Sequence, residues 1–352
     1  MSQDQEFSPS EMRWDPVYRT WSIIAPERGK RPGSFLRKED FPQKKLSDEE
    51  SPFSYLNDHA TPPPILKISD PEGKYPWKIK VIPNKYPVLR VEGIIERSAE
   101  GLYDIISGVG AHEVVIEHPR SEPTSYDLSV NEILEILKVY RERILDLKKD
   151  IRFRYIMVFK NEGNLAGATI AHLHSQIVAL PERPLQIQTL LNSMREHFDR
   201  KERCLYCDIL SEERKIGKRI VFEDENFVIL CPFASQYPFE LLILPIEHNH
   251  AFEFQSDRLL YALALTLHNA LARLGKSLDR PHFNLAIITA PPAIPKLTRP
   301  HYWSSLKEDF HWHLRILPRI VFQAGFEWGS GIYLNPVPPE EAAAHLKEIN
   351  PY

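Results

Sequence analysis

One order of segments occurs twice in this chain, and that repetition limits the folds open to it. In the first half a strand-like run, Arg154 to Phe159, leads into His172-Leu-His174-Ser-Gln176 and closes on Pro181. In the second, Asn284 to Thr289 leads into His311-Trp-His313-Leu-Arg315 and closes on Pro318. Each is preceded by shorter strand-like runs and one long helical stretch. The first helix opens on the capping box Ser129-Val-Asn-Glu132 and keeps Ile133, Leu137, Tyr140, Ile144 and Leu147 on one face. The second keeps Leu260, Leu263, Leu267, Leu271 and Leu274 in register. A tandem duplication of one α+β unit, with mostly antiparallel sheets and packed helices, is the economical reading. Residues 1–200 form its first half and 201–352 its second.

At 352 residues the chain can bury one large core or two medium ones. A net charge of -4 without a long basic stretch argues against a nucleic-acid partner. No apolar run approaches membrane-spanning length and no apolar leader stands at the N-terminus, so no membrane partner is expected. Three cysteines make no disulfide framework. The expectation is a cytoplasmic enzyme. Thirty prolines against 14 glycines stiffen its loops, notably at 62–64, 291–300 and 336–339.

The chemistry concentrates between Val158 and Pro181. Successive strand side chains alternate in direction, so His172, His174 and Gln176 are expected on one face. Before them, Gly163, Gly167 and Ala168 let a ligand approach the backbone closely. A bare His-x-His is more often an ordinary half-buried strand. The added Gln176 and the Asn161-to-Thr169 loop turn the reading toward phosphate chemistry.

These residues, Asn161-x-Gly163, the Gly167-Ala168-Thr169 bend and His172-x-His174-x-Gln176, resemble the galactose-1-phosphate uridylyltransferase branch of the histidine-triad superfamily. Plant-type ADP-glucose phosphorylases belong to the same branch. The resemblance runs from Arg28-Gly-Lys-Arg31-Pro32 to Gly325-Phe326-Glu327 and the closing helix. It implies two histidine-triad-like halves, the first catalytic, and ping-pong transfer through a nucleotidyl-histidine on His174. Neutral imidazole, with a pKa of about 6.5, both attacks and leaves well near pH 7. Gln176, Asn161 and backbone N–H groups near Gly167 and Thr169 would neutralise charge developing on the phosphate. In relatives the glutamine accompanies transfer to a phosphate acceptor rather than to water. His172 is read as the histidine that orients the strand. Arg28 and Arg31 would grip phosphate oxygens, reaching a partner's site in a homodimer. Asn84 joins the substrate-binding set, and Phe326 and Glu327 would meet the hexose.

The expected substrates are a nucleoside diphosphate hexose and a hexose 1-phosphate: UDP-glucose with galactose 1-phosphate as acceptor. The alternative keeps the chemistry with ADP-glucose and inorganic phosphate. Gly-Phe-Glu-x-Gly-x-Gly followed by Tyr333-Leu-Asn335-Pro336 looks closer to the phosphorylase relatives. A non-catalytic nucleotide-binding scaffold is the reading from another class.

Many relatives bind zinc in the first half through Cys-x-x-Cys, where this chain has Ser51-Pro-Phe-Ser54. The other two ligands would be a histidine near Ser121 and His172, of which only His172 remains. Serine hydroxyls are poor zinc ligands at neutral pH, so the first site is read as lost. Cys204-Leu-Tyr-Cys207, with His248 and His311 supplied by the resemblance, makes a Cys2His2 set for one structural zinc per chain. By spacing alone His250 and His313 compete as ligands. His282, His301 and His345 read as surface histidines.

Overall fold

The computed structural model describes residues 10–30, 35–36, 41–42, 44–295 and 301–352. The first half contributes strands β1 (Glu11–Asp15), β2 (Thr20–Ile24), β3 (Leu66–Ile68), β4 (Ile79–Pro83), β5 (Arg97–Glu100), β6 (Tyr103–Ile106), β7 (Ala111–Ile116), β8 (Tyr155–Glu162) and β9 (His174–Leu180). Its helices are α1 (Pro26–Gly29), α2 (Val130–Leu147) and α3 (Leu185–Lys201). The second half contributes β10 (Ile220–Glu223), β11 (Phe227–Leu230), β12 (Leu241–Pro245), β13 (Phe283–Ile288), β14 (His313–Pro318) and β15 (Tyr333–Asn335). Its helices are α4 (Leu205–Ile216), α5 (Asp257–Ser277), α6 (Leu306–Asp309), α7 (Gly325–Ser330) and α8 (Pro339–Glu348).

Ten of the strands form one antiparallel sheet in the order β10-β11-β12-β14-β13-β8-β9-β7-β4-β3. Read inward from either edge, the two halves present the same strand order and meet at β8 and β13. The sheet is therefore continuous across the division between 200 and 201, which falls in the last turn of α3. A second sheet joins the β1–β2 hairpin to β15 in parallel, and β5 and β6 pair as a separate ribbon.

Burial follows the two-residue strand period. In β9, Ile177 and Ala179 enter the large core under α2, α5 and α8. Their neighbours His174, Gln176 and Val178 therefore point to the other face. There α3, α4 and α6 cover the second half around Leu190, Leu210 and Leu306. The Ser129–Glu132 capping box forms as expected and opens α2. No helix of the described residues is long and apolar enough to cross a membrane.

One expectation shifts. β9 begins at His174, so His172 sits on the bend before the strand instead of within it. The carbonyl of His172 is diverted from the ladder to accept a hydrogen bond from the His174 ring at 2.6 Å.

Candidate active site

β8 delivers Asn161 and then turns through a short 3-10 segment, Asn164–Ala166. Gly163 (φ 82°) and Gly167 (φ 91°) hold this loop in conformations that favour glycine. The ring of His282 lies against Gly163 so closely that a Cβ there would stand 2.1 Å from its Cδ2. This corrects the reading of His282 as a surface residue; His301 and His345 are exposed as expected. Beside the loop opens a cavity of about 410 Å³ lined by Asn161, Gly163, Ala168, His172, His174 and His282, among others. Thr169 is exposed at the end of the loop.

His174 donates its Nδ1–H to the His172 carbonyl. Its Nε2 is thus the unprotonated nitrogen, and among the described residues it makes no hydrogen bond. Burial pushes the His174 pKa below the ordinary imidazole value, against the opposing pull of that backbone bond. The ring is therefore neutral near pH 7 with a lone pair toward the cavity. Phe53 meets it edge-on at 5.3 Å.

Both nitrogens of His172 are taken. Nε2–H donates to the His118 carbonyl at 2.8 Å, and Nδ1 accepts from Ser51 Oγ at 2.8 Å. Ser54 Oγ accepts from the Leu56 N–H at 3.2 Å, and Ser121 Oγ donates to Asp48 at 2.9 Å. Ser51 and the His118 carbonyl thus occupy both nitrogens of His172, and the other two hydroxyls are engaged nearby. Burial pushes His172 down to about 4, so it stays neutral as well.

Gln176 is oriented by His112, a residue that the sequence reading passed over. His112 Nδ1 accepts from the Val88 N–H at 3.2 Å, so its Nε2–H donates to Gln176 Oε1 at 2.7 Å. With the carbonyl tied, the Gln176 N–H2 is left as the donor. Asn161 is held the same way, its Oδ1 accepting from Asn284 at 2.7 Å. Asn84 stands behind this pair, 3.1 Å from His112 Nε2. Two amides with tethered carbonyls and available N–H2 groups suit an anionic ligand. The only early sign of His112 was its period-two alignment with Val114, which is paired with Gln176.

The second copy repeats the strand geometry and closes it. His313 Nδ1–H donates to the His311 carbonyl at 3.0 Å, as in the first copy. Its Nε2, however, receives the Tyr18 hydroxyl at 2.8 Å. His313 is 0% exposed where His174 is 8%. Arg315, in the place of Gln176, is paired with Glu240 at 2.5 Å. Sealed and spent, this histidine has neither access nor a donor for phosphate.

Below it, Cys204, Cys207, His248 and His311 bring their ligand atoms within 4.8 Å of one another. His311 Nδ1 stands 3.7 Å from the Cys204 sulfur and 3.6 Å from that of Cys207, and His248 Nδ1 lies 3.5 Å from Cys207. Tetrahedral zinc at its usual bond lengths would set edges of about 3.5–3.8 Å between such atoms. Each histidine gives its other nitrogen to a carbonyl, His248 to Lys307 at 2.9 Å and His311 to Pro245 at 3.1 Å. That fixes the tautomer with Nδ1 bare and facing the thiols, as in histidines that bind metal through one nitrogen and donate from the other. The hydrogen bond from Cys204, against the opposing effect of burial, holds the Cys207 thiol well below its ordinary value. The four residues fit zinc. The competing ligands drop out: His313 has both nitrogens used, and His250 lies outside the group.

The expected phosphate and sugar contacts lie elsewhere in the chain. α1, which carries Arg28, follows β2, and α7, which carries Phe326 and Glu327, precedes β15; the two strands pair in parallel and the Ala25 N–H donates to the Asn335 carbonyl. None of the three lines the His174 cavity. Phe326 is 51% exposed, and the Glu327 carboxylate caps its own helix at the Ala324 N–H, 2.9 Å away. Arg31 lies outside the described residues.

Comparison with known proteins follows the same lines. A sequence model described as galactose-1-phosphate uridyl transferase, N-terminal domain, matches residues 1–184, and a domain of unknown function matches 109–280. ADP-glucose phosphorylase of Arabidopsis thaliana is 34% identical over 343 residues, covering 97% of this chain and 93% of that protein. The chain belongs to the galactose-1-phosphate uridylyltransferase family. The galactose-1-phosphate uridylyltransferase of Thermotoga maritima is 25% identical over 346 residues, covering 96% of this chain and 98% of the relative. Among solved structures, the Arabidopsis thaliana ADP-glucose phosphorylase with bound ADP-glucose superposes with a TM-score of 0.80 at 31% identity, covering 97% and 99% of the two chains. A uridylyltransferase structure follows at TM-score 0.71 and 26% identity, covering 96% and 97%. As a member of this family the protein is a nucleotidyltransferase.

Proposed function

We propose that this transferase moves a nucleotidyl group between a nucleoside diphosphate hexose and a phosphate-bearing acceptor, in two steps through an adduct on His174. The observation that carries the proposal is the contrast between the two His-x-His copies. His174 has a tethered Nδ1–H, a bare Nε2 and a cavity, whereas Tyr18 closes the counterpart His313. In the first step Nε2 attacks the α-phosphorus, the bond to the sugar phosphate oxygen breaks, and hexose 1-phosphate departs as a stable anion. The N–H2 groups of Gln176 and Asn161 meet the charge that grows on the phosphate oxygens. In the second step the acceptor's phosphate oxygen attacks the same phosphorus and His174 leaves as neutral imidazole.

The family assignment supports uridylyl transfer between UDP-glucose and galactose 1-phosphate. A second reading, adenylyl transfer from ADP-glucose to inorganic phosphate, is favoured by the 34% identity and TM-score of 0.80 to the plant phosphorylase. Steady-state kinetics with each donor and acceptor separate the two. Parallel double-reciprocal lines with UDP-glucose and galactose 1-phosphate support the first; turnover confined to ADP-glucose and phosphate supports the second. Intersecting lines with both pairs would rule out the two-step route.

Zinc held by Cys204, Cys207, His248 and His311 would tie α4 to the sheet and act structurally. A homodimer would bring Arg28, Phe326 and Glu327 of one protomer to the cavity of its partner, which accounts for their absence from its lining within one chain.

A further inference from the structure

An asparagine can face a phosphate with its N–H2 or with its carbonyl, and the two orientations have nearly the same shape. Only the first helps an anion. At Asn161 the choice is made by the other half of the protein. Arg319 Nε–H donates to Asn284 Oδ1. A guanidinium has no acceptor, so the Asn284 carbonyl faces it and the Asn284 N–H2 points the opposite way. That group donates to Asn161 Oδ1 at 2.7 Å and to the Ala166 carbonyl at 2.8 Å. Asn161 is thereby left with its own N–H2 toward the cavity.

The relay is anchored at each end. Asn284 and Asn161 are direct partners across the β8–β13 seam. The Arg319 guanidinium lies 4.8 Å from the centre of the Tyr237 ring, and its backbone N–H donates to the His282 carbonyl at 2.7 Å. His282 in turn packs on Gly163 and accepts from the Leu165 N–H at 3.3 Å. Three second-half residues therefore act on the loop at 161–168.

We propose that Asn284, oriented by Arg319, is a positioning residue for nucleotidyl transfer: it fixes Asn161 as a donor and makes the first-half loop depend on the second half. This rests on the reading that the His174 cavity transfers nucleotidyl groups. It gives the second half, whose own histidine is sealed, a part in the reaction.

Two substitutions separate this role from simple support. Asn284→Asp keeps the shape and the bond to Arg319 but has no N–H to give. Asn161 then turns its N–H2 toward the new carboxylate and its carbonyl toward the phosphate. Asn284→Ala removes the tether without imposing the wrong orientation. The nearly isosteric change should therefore be the more damaging one, lowering kcat/KM by about 10²–10³, the range for losing one such donor. Asn284→Ala should cost roughly tenfold. Combined with Asn161→Ala, Asn284→Asp should add little further loss, because both act through one group. The idea is overturned if Asn284→Asp keeps wild-type kcat/KM, if Asn284→Ala is the worse of the two, or if the losses multiply.

Calorimetric binding of UMP and AMP to the same variants keeps the two proposals apart. Absence of transfer by the wild type from either donor defeats the proposed function. Weaker binding in the order wild type, Asn284→Ala, Asn284→Asp would still uphold the amide relay, and equal binding would refute it.

Discussion

Removing the Ser51 hydroxyl is the sharpest probe of the hydrogen bonds that hold His172. Ser51 is wholly buried and His172 is 3% exposed. Ser51 Oγ donates to His172 Nδ1 at 2.8 Å and accepts from the Phe53 N–H at 3.3 Å. In Ser51→Ala, His172 Nδ1 remains buried without a donor, a loss of about 1–3 kcal/mol for an unsatisfied group. With a urea m-value of roughly 2 kcal/mol/M, the unfolding midpoint should fall by about 0.5–1.5 M. Transfer should slow several-fold, because the His172 carbonyl fixes the His174 tautomer. Urea titration followed by near-ultraviolet circular dichroism measures the first effect, and single-turnover kinetics the second. A midpoint within about 0.2 M of wild type, with an unchanged rate, would show that the hydroxyl does not hold His172.

Five further outcomes are expected. Burial holds His172 at about 4 in the fold against about 6.5 when unfolded. Between those values the unfolded chain binds the proton first, so stability should fall as pH drops from 6.5 to 4, by up to roughly 3 kcal/mol from this group; urea midpoints that stay flat over that range contradict it. His174 is depressed in the same direction, so the acid limb of the free-enzyme kcat/KM profile should lie below pH 6.5, and a limb above 6.5 would mean a charged resting histidine. Gln176→Ala should lower single-turnover transfer by about 10²–10³, and His112→Ala by roughly tenfold, since it frees the amide without deleting it. Protein purified without added metal should hold one zinc per chain, and a chelator should lower its melting temperature; two equivalents or none would refute the assignment.

What could be read from the sequence was local. The runs that recur in each half, the His-x-His-x-Gln spacing and Cys204-x-x-Cys207 are each set by residues close in sequence, where strand period and ligand chemistry act directly. The three serines at 51, 54 and 121 could be read as poor metal ligands from their chemistry alone. The Ser51–His172 bond could not be read in the same way, since it spans 121 positions. The sealing of His313 depends on Tyr18, 295 residues away, and the orientation of Asn161 on Asn284, 123 away. No local pattern announces such pairs. Nor does periodicity say which strand edges will join, so the fusion of both halves through β8 and β13 became visible only in the fold.

The central claim is a covalent nucleotide on His174. The most direct measurement is intact-protein mass spectrometry after separate incubation with UDP-glucose and ADP-glucose, without acceptor, followed by peptide mapping. The account predicts a gain of one UMP or one AMP per chain, located on the peptide bearing His174, discharged by acceptor and absent in His174→Ala. A label on the His313 peptide, or turnover by wild type with no adduct under any donor, would contradict it.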